Sequence, residues 1–309
     1  MKIQIASTFE LASGVSPDAS VEAEYGDRVI AGNLFTLAHH AVSYRHMPAP
    51  CELENQHFRG DILISHIDLD TIGGCLALYG IKPEDDAFWR GAAFVDTRGP
   101  HRVHELPPAV QEKLRAYWAY ADSLEKSNYP GLCDVTDEIL KHGDVLARIV
   151  ANDPELIQNG ATWARDAESR VEACLVSENQ WVRAFKTTGV FCNAAYYSPN
   201  LRKIIPAIVV WNEKWNSITL SFEDGGKRHD ASVLAKKLWG DLAGGHAGIA
   251  GSPRGWKLTE AQLRAEFNRA INYIHVICTD GAHRLPGARI GRIPQPTENV
   301  AENSLKNFT

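Results

Sequence analysis

The fold of this chain is decided by the stretch Asp61-Ile62-Leu63-Ile64-Ser65-His66-Ile67-Asp68-Leu69-Asp70-Thr71-Ile72-Gly73-Gly74. The short apolar run over 61–65 follows Gly60 and predicts a buried strand, and the residues from Ile72 to Tyr79 predict the helix after it. A strand followed by a helix is the repeating unit of a parallel α/β sheet, in which ligands bind at the carboxyl ends of the strands. The polar residues from 65 to 71 are therefore expected at such an end.

The remaining pattern predicts an α/β protein of two units. Gly91 to Val95 is expected to form a second short strand that leads into Asp96. Helices are expected from Pro107 with Val110, Leu114, Trp118 and Ala121 on one face, from Asp137 to Val150, and from about Ala161 to Ser177. Strands are expected over Ile204 to Trp211 and Ser217 to Phe222. This change from helices to strands predicts a first domain over 1–165 and a second over 175–275. The polar, glycine- and proline-rich composition of the last residues predicts an extended or disordered tail over 280–309.

Length and composition agree with two globular units. The chain has 309 residues, of which 44% are hydrophobic and 23% charged, and one core seldom organises so many. The formal net charge of -6 gives no overall positive field, which argues against binding of long duplex nucleic acid and leaves a small phosphorylated ligand.

Cysteine usage and hydropathy indicate in which cellular compartment the protein is expected. The six cysteines form no C-x-x-C pair, which argues against a zinc knuckle or a disulfide framework and predicts reduced thiols in the cytoplasm. The amino terminus lacks a signal-peptide pattern, and no run of about 18 apolar residues occurs, so neither secretion nor a membrane partner is expected.

The polar residues after the predicted strand suggest a metal site. On an extended segment His66, Asp68 and Asp70 alternate to one face, which brings an imidazole and two carboxylates together. Such donors suit manganese and magnesium. Asp70 or Thr71 could instead cap the following helix, but capping does not account for His66 and Asp68 as well.

Further candidate ligands follow other apolar runs. Asp96 comes after the second predicted strand and could bridge two cations, with His101 and His104 just beyond it as ligands or proton-transfer groups. The pair His39-His40 ends an apolar stretch and forms a third group. For each histidine taken alone, an exposed position without a function is an equally good interpretation.

A glycine-rich segment runs from Gly244 to Gly255. Its glycines let backbone N–H groups approach an anion, while His246 and Arg254 add charge and a bidentate donor. A flexible turn is the simpler interpretation of the glycines, and the histidine and arginine favour phosphate binding.

Two of these segments resemble the DHH phosphoesterases. The run from Ser65 to Asp70 resembles their first motif, in the spacing of the RecJ-like and nanoRNase branches, and Gly244 to Gly251 resembles the G-G-H-x-x-A-x-G signature of the DHH-associated C-terminal domain. The motifs occur in the expected order, and the resemblance spans most of residues 28–270. It implies a parallel-sheet α/β lobe with a two-metal site, joined to a smaller α/β lobe that grips the substrate.

The resemblance also implies an activity and a set of roles. Such enzymes cleave phosphodiester or phosphoanhydride bonds in small phosphorylated substrates or short oligonucleotides, with two manganese ions or, alternatively, magnesium. The implied metal ligands are His66, Asp68, Asp70, Asp96 and Asp137, with His39, His40, His101 and His104 completing the ligand set or protonating the leaving oxygen. The implied substrate-binding residues are Gly244, Gly245, His246, Gly251 and Arg254. A homodimer is the oligomeric state to consider.

The Asp-His-His triplet that gives this family its name does not occur at its usual place. The segment Gly99-Pro100-His101 with His104 is one substitute, and Ala38-His39-His40, which lies before the first motif, is the other. Asp137 is equally explained as a helix cap. A rival function is therefore a degenerate protein that senses a nucleotide without cleaving it, and a second rival is a hydrolase of a non-nucleotide phosphate. Aromatic residues of the second unit could stack on bases, although core packing is the simpler role for most of them, namely Tyr196, Tyr197, Trp211 and Trp215.

Overall fold

The computed structural model describes residues 2–125, 127–189, 193–253 and 256–282. It confirms the α/β class, and each half of the described chain has one large sheet and one two-stranded sheet. The strands of the first half are β1 (Ile3–Ile5), β2 (Ala19–Val21), β3 (Glu24–Tyr25), β4 (Arg28–Val29), β5 (Phe35–Leu37), β6 (Ile62–Ile64) and β7 (Cys133–Asp134). Its helices are α1 (Phe9–Ala12), α2 (Leu69–Tyr79), α3 (Asp86–Arg98), α4 (Pro108–Ser123), α5 (Thr136–Val150) and α6 (Pro154–Glu172).

The first sheet has the strand order β5-β2-β6-β1-β7. Its first four strands are parallel, and only the edge strand β7 runs antiparallel to its neighbour. Val21 pairs with both Leu37 and Ile64, so the carboxyl ends of β2, β5 and β6 lie side by side. The chain leaves these three strands at one edge of the sheet, which is the edge where ligands bind in such folds.

Helix α3 corrects the strand expected over Gly91 to Val95. The side chain of Asp85 accepts a hydrogen bond from Phe88 N at 2.9 Å and starts the helix. Phe88, Ala92 and Val95 then recur at helical spacing and are buried. The apolar residues around 91–95 are therefore one face of an amphipathic helix, and Asp96 lies in its last turn.

The second half contains a six-stranded sheet. The helices and strands of this half are β8 (Leu175–Glu178), β9 (Val182–Thr187), β10 (Tyr197–Ser198), β11 (Lys203–Ile204), β12 (Ala207–Asn212), β13 (Ser217–Phe222), α7 (Ala231–Trp239), β14 (Gly244–Gly245), β15 (Ile249–Gly251) and α8 (Glu260–Ala282). The strand order is β14-β15-β13-β12-β9-β8, with only β9 and β12 parallel. Helices α7 and α8 cover the sheet and share its apolar core.

The aromatic residues of this half divide by burial. Tyr196 and Trp211 are buried and belong to the packing of the sheet. Tyr197 stacks on His104 of the first half, whereas the Trp215 side chain is 59% exposed. Core packing therefore accounts for two of the four residues considered as base-stacking candidates.

Two large apolar cores lie in the described part of the chain. One gathers buried residues from Ile3 to Ile149 and the other from Val182 to Cys278. The domain boundaries stay a prediction, and most of the tail over 280–309 lies outside the described residues. None of the helices that the structure describes is both long and apolar enough to cross a bilayer.

Candidate metal centre

The candidate metal centre lies at the carboxyl edge of the first sheet. Glu22 directly follows β2, His39 stands two residues beyond β5, and His66 stands two residues beyond β6. Because the three strands are parallel neighbours in register, their exits place these side chains together. The polar side chains that follow these short strands are thus brought together at one edge of the sheet.

Glu22 is the most constrained residue of this edge. Its side chain is fully buried, and its backbone has a φ of 50°, a left-handed conformation that costs a non-glycine residue free energy of order 1–3 kcal/mol. Residues held in such conformations cluster at functional sites. A buried carboxylate on a strained backbone therefore makes Glu22 a candidate functional residue.

The histidine pair is held from behind by a second glutamate. The Glu24 carboxylate accepts hydrogen bonds from His40 N at 3.2 Å and from Ala41 N at 2.8 Å. The two imidazole rings lie 4.1 Å apart between centroids. Glu24 thereby fixes the backbone that aims both rings at the cluster.

Three carboxylates surround one ring nitrogen of this pair. His39 Nε2 lies 3.5 Å from Glu22 Oε1, 3.2 Å from Asp70 Oδ2 and 3.1 Å from Asp96 Oδ2. His40 Nε2 lies 3.3 Å from Glu22 Oε2 and 3.4 Å from Asp96 Oδ2. A single nitrogen donates at most one hydrogen bond, so it cannot satisfy three carboxylates.

Helix α2 positions Asp70 and adds one more carboxylate, that of Asp68. Asp68 caps this helix, with Oδ1 accepting from Thr71 N at 2.8 Å. Asp70 is the second residue of the helix and is buried, and its Oδ1 accepts a hydrogen bond from Cys51 N at 2.8 Å. The helix cap is therefore Asp68, and the second oxygen of Asp70 is left facing His39.

His66 and Asp68 form the accessible side of the cluster. His66 Nε2 lies 3.0 Å from Asp68 Oδ2, and their side chains are 45% and 38% exposed. Both residues are electrostatically coupled to the cluster, since Asp70 and Asp96 act on His66 and Asp68 acts on Glu22. Solvent therefore reaches these two residues, as it also reaches His40, whose side chain is 47% exposed.

The donor set fits divalent cations. Within the described residues, Glu22 Oε1 and Oε2, Asp70 Oδ2 and Asp96 Oδ2 are buried and form no hydrogen bond. Ligand atoms of Glu22, His39 and His40, and of His39, Asp70 and Asp96, lie within 4.8 Å of one another. Ligands of one cation at about 2.1 Å stand roughly 3–4 Å apart. The unpartnered oxygens lie 3.1–3.5 Å from the Nε2 atoms of His39 and His40, a distance that ligands of one cation also show.

The pKa values of Glu22 and His39 are both raised. Burial, followed by the nearby Asp70 carboxylate, raises the pKa of Glu22 to about 9. Burial acts to lower the pKa of His39, but the close Asp70 and Asp96 carboxylates outweigh it and raise that pKa to about 10. Without a cation the cluster therefore holds protons that a bound cation would displace.

The outer pair behaves as an ordinary ion pair. The contact with Asp68 raises the pKa of His66. Burial acts to raise the pKa of Asp68, but His66 and the Thr71 amide outweigh it and lower that pKa. This pair is therefore stabilised in its charged form.

Asp137 is not brought to the cluster. It is exposed in the first turn of α5, and the neighbouring Thr136 accepts a hydrogen bond from Ile3 N at 2.8 Å. Ile3 is the first residue of β1, so Asp137 lies near the amino-terminal edge of a parallel strand, opposite the exits of β2, β5 and β6. The parallel sheet separates it from the other predicted ligands.

His101 and His104 contact the second half of the chain. His101 is buried, with Nε2 3.2 Å from Glu223 Oε1, and burial lowers its pKa. His104 stacks on Tyr197 with centroids 3.5 Å apart, and burial together with Arg115 lowers its pKa to about 4. Their described contacts thus join the two halves and do not include the carboxylate cluster.

The glycine-rich segment forms a hairpin of β14 and β15. Gly245 has a φ of 152°, and a Cβ there would lie 2.4 Å from Ile249 O, so this position requires glycine. His246 is exposed at the turn, where its N–H donates to Ile249 O at 2.7 Å, and Gly251 pairs with Thr219. Arg254 lies outside the described residues.

Of the two substitutes for the triplet, Ala38-His39-His40 is the one that reaches the cluster. Ala38 itself is 1% exposed and lines a cavity of about 320 Å³ with Met47, Pro48 and Ala49. Its buried methyl group lies beside these apolar residues, and Glu22 is a carboxylate that contacts both histidines of this segment.

Ala38→Asp is expected to destabilise the protein by about 2 kcal/mol without tightening manganese binding, because the new carboxylate meets apolar groups. Urea unfolding and a manganese titration measure the two effects. Ala38→Asn, which has nearly the same volume without the charge, serves as the control. A tenfold gain in manganese affinity for Ala38→Asp alone would place this residue among the ligands.

Glu22 is the cluster residue that sequence reasoning missed. Residues 1–26 carry only a weak pattern, because β2 has three residues and lacks a long β-branched run. A pattern that could have identified Glu22 is the short segment Ala19-Ser20-Val21, which ends in an apolar residue and is followed directly by an acid. The same pattern, a strand followed by a possible ligand, identified His66.

Comparisons with known proteins give only distant similarities. No protein-family model matches the chain, and no curated protein matches it. The structure is similar to PggH, a pGpG-specific phosphodiesterase from Vibrio cholerae, at 12% identity and a TM-score of 0.46, over 85% of this chain and 88% of that one. An uncharacterized protein from Helicobacter pylori G27 matches at 14% identity and a TM-score of 0.23, over 78% and 74% of the two chains. Similarities at this level do not establish a shared activity.

Proposed function

We propose that this chain is a phosphoesterase that depends on two divalent cations, with manganese expected and magnesium as the alternative. Its substrate is a small phosphorylated molecule or a short nucleotide, cleaved at a phosphodiester or phosphoanhydride bond. The observation that carries the proposal is the convergence of carboxylates and imidazoles at the sheet edge, with buried oxygens that form no hydrogen bond.

The charges of the cluster support two cations. Its four carboxylates belong to Glu22, Asp68, Asp70 and Asp96. Burying like charges together is unfavourable unless opposite charges compensate them, and two divalent cations supply the four positive charges that match these carboxylates. The same donors, oxygen and imidazole, are those that manganese accepts.

Five residues could hold the cations. Because an imidazole nitrogen binds one cation, His39 with Asp70 and Asp96 would hold one of them, and Glu22 with His40 would hold the other. Asp96 is close to both histidines. Divalent cations bound here would activate water and offset the charge that develops on phosphate.

The second half of the chain is proposed to hold the substrate. Resemblance of the hairpin around Gly245 and His246 to a phosphate-binding signature supports this role, and the exposure of His246 leaves its imidazole free to reach an anion. Glu223 ties the two halves together by accepting from Arg102 Nε at 2.8 Å. These contacts preorganise the cleft in which a substrate would be oriented.

Hydrolysis of a generic phosphodiester by chelator-treated protein tests the proposal. We expect activity to return with manganese, to a smaller extent with magnesium, and calorimetry to report two manganese ions per chain. A screen of small phosphorylated metabolites then ranks substrates. Binding of manganese without hydrolysis of any substrate favours the sensor function, and failure to bind manganese or magnesium removes the two-cation proposal.

A further inference from the structure

A short relay of hydrogen bonds connects two ligands of the candidate metal centre. The hydroxyl of Ser65 donates to the backbone carbonyl of Glu22. The same Ser65 oxygen lies 2.8 Å from His66 Nδ1, and His66 Nε2 points to the cluster side, 3.0 Å from Asp68 Oδ2. Ser65 thus lies between the backbone of one cluster residue and the ring of another.

The chemistry of these groups fixes the direction of each bond. A carbonyl oxygen only accepts, so the single hydroxyl proton of Ser65 points to Glu22. The serine oxygen can then only accept from His66, and the proton of that bond must reside on Nδ1. In the metal-free protein Nε2 also carries a proton, since it lies 3.0 Å from Asp68 Oδ2 and a carboxylate only accepts. A cation that binds His66 would take the place of that proton and leave the one on Nδ1.

Strand pairing holds the relay in place. Val21 of β2 pairs with Ile64 of β6, which brings Glu22 beside Ser65 as both strands end. The left-handed backbone of Glu22, with a φ of 50°, turns the chain at this point. One strained residue therefore directs its carboxylate to the cluster while its carbonyl anchors Ser65.

We propose that Ser65 is a positioning residue of the metal centre, which holds His66 with its proton on Nδ1 and its Nε2 lone pair toward the cation. The proposal rests on the metal site of the proposed function. Groups that orient metal-ligating histidines in this way typically contribute 10- to 100-fold to metal affinity.

Manganese affinity of the full chain, measured by calorimetry, tests the relay. Ser65→Ala is expected to weaken binding about 10- to 100-fold, and Ser65→Thr, which keeps the hydroxyl, is expected to restore it. The matched control is Ser20→Ala, since the Ser20 hydroxyl is buried on β2 without a hydrogen bond and its loss should leave affinity unchanged. Ser65→Ala with the affinity of the parent overturns the proposal.

Proton exchange of the His66 ring in the metal-free protein gives a second measurement. Nitrogen-15 NMR of the protonated ring is expected to show a slowly exchanging Nδ1–H in the parent and in Ser65→Thr, and a faster exchanging Nδ1–H in Ser65→Ala, because the bond from Nδ1 to the Ser65 oxygen is lost. A parent whose Nδ1–H exchanges as fast as that of Ser65→Ala contradicts the relay even where manganese binds. If Ser65→Ala does not fold, Ser65→Cys, which keeps the size but donates and accepts weakly, takes its place in both measurements. If the parent binds no manganese, the proposed function fails while the exchange of Nδ1–H still reports on Ser65.

Discussion

Asp70→Asn is expected to reduce manganese-dependent hydrolysis by about 100-fold or more, because it removes a charged ligand at almost constant volume. The amide keeps an oxygen that can accept the Cys51 N–H, which Asp70 Oδ1 now accepts at 2.8 Å. The oxygen lost is Oδ2, which lies 3.2 Å from His39 Nε2. The local hydrogen bond is therefore retained while the cation site loses a charge.

Thermal melting separates this loss from unfolding. Saturating manganese should stabilise the parent by about 2.7 kcal/mol at 100 times the dissociation constant, and Asp70→Asn should lose most of this gain. Without metal the variant should stay folded and melt somewhat below the parent, because the Asp70 carboxylate that raises the pKa of His39 no longer pairs with the charged imidazole. Asp86→Asn, in the first turn of α3 with its side chain 92% exposed, is the control and should change neither quantity. Full activity of Asp70→Asn with manganese would remove the two-cation centre.

The strand and helix around His66 could be predicted because their signals are local. Ile62–Ile64 is an apolar run with polar ends, and the helix over Leu69–Tyr79 follows it directly. Both are buried, so burial agrees with the pattern at each residue. Where local pattern and tertiary environment coincide in this way, the sequence is sufficient to locate an element.

The segment around Asp96 shows why a short apolar run is ambiguous. Gly91 to Val95 is equally compatible with a buried strand and with one face of a helix. The deciding features are the Asp85 cap and the buried Phe88 upstream, which extend the apolar spacing beyond strand length. Asp96 still reaches the cluster, because the last turn of α3 approaches the sheet edge that the ligands share.

The ligand set could be predicted only in part because it depends on strand order. β2 lies between β5 and β6, and this arrangement is what brings Glu22 and His39 beside His66. Sequence separation does not reveal it, since 27 residues separate His39 from His66. The same topology puts Asp137 at the opposite edge, although its position in the chain resembles that of a ligand.

Manganese binding at pH 7 is expected to release protons, and Glu22→Gln is expected to release one fewer. The pKa of Glu22 is raised from 4.5 to about 9 in the folded, metal-free protein, so the folded state holds a proton that the unfolded chain loses above pH 4.5. His39 acts in the same direction, since its pKa is raised from 6.5 to about 10. Cation binding requires both ligands without these protons.

The same shifts set the pH dependence of stability. Between pH 4.5 and about 9 for Glu22, and between pH 6.5 and about 10 for His39, the folded state binds more protons than the unfolded chain. Unfolding free energy of the metal-free protein should therefore fall as pH rises through these windows, by several kcal/mol in order of magnitude. Glu22→Gln removes one group and should flatten this slope, whereas Glu10→Gln, an exposed acid on α1, should not.

Calorimetry in buffers of different ionisation enthalpy counts the released protons, and urea unfolding at a series of pH values with a chelator measures the slope. Saturating manganese should reverse the trend, because deprotonation then favours the bound state and raises metal affinity with pH. A proton count that is equal in the parent and in Glu22→Gln would contradict the assignment of Glu22 as a ligand. Metal-free stability that rises from pH 6 to 9 would contradict the raised pKa values, because the folded cluster would then hold fewer protons than the unfolded chain.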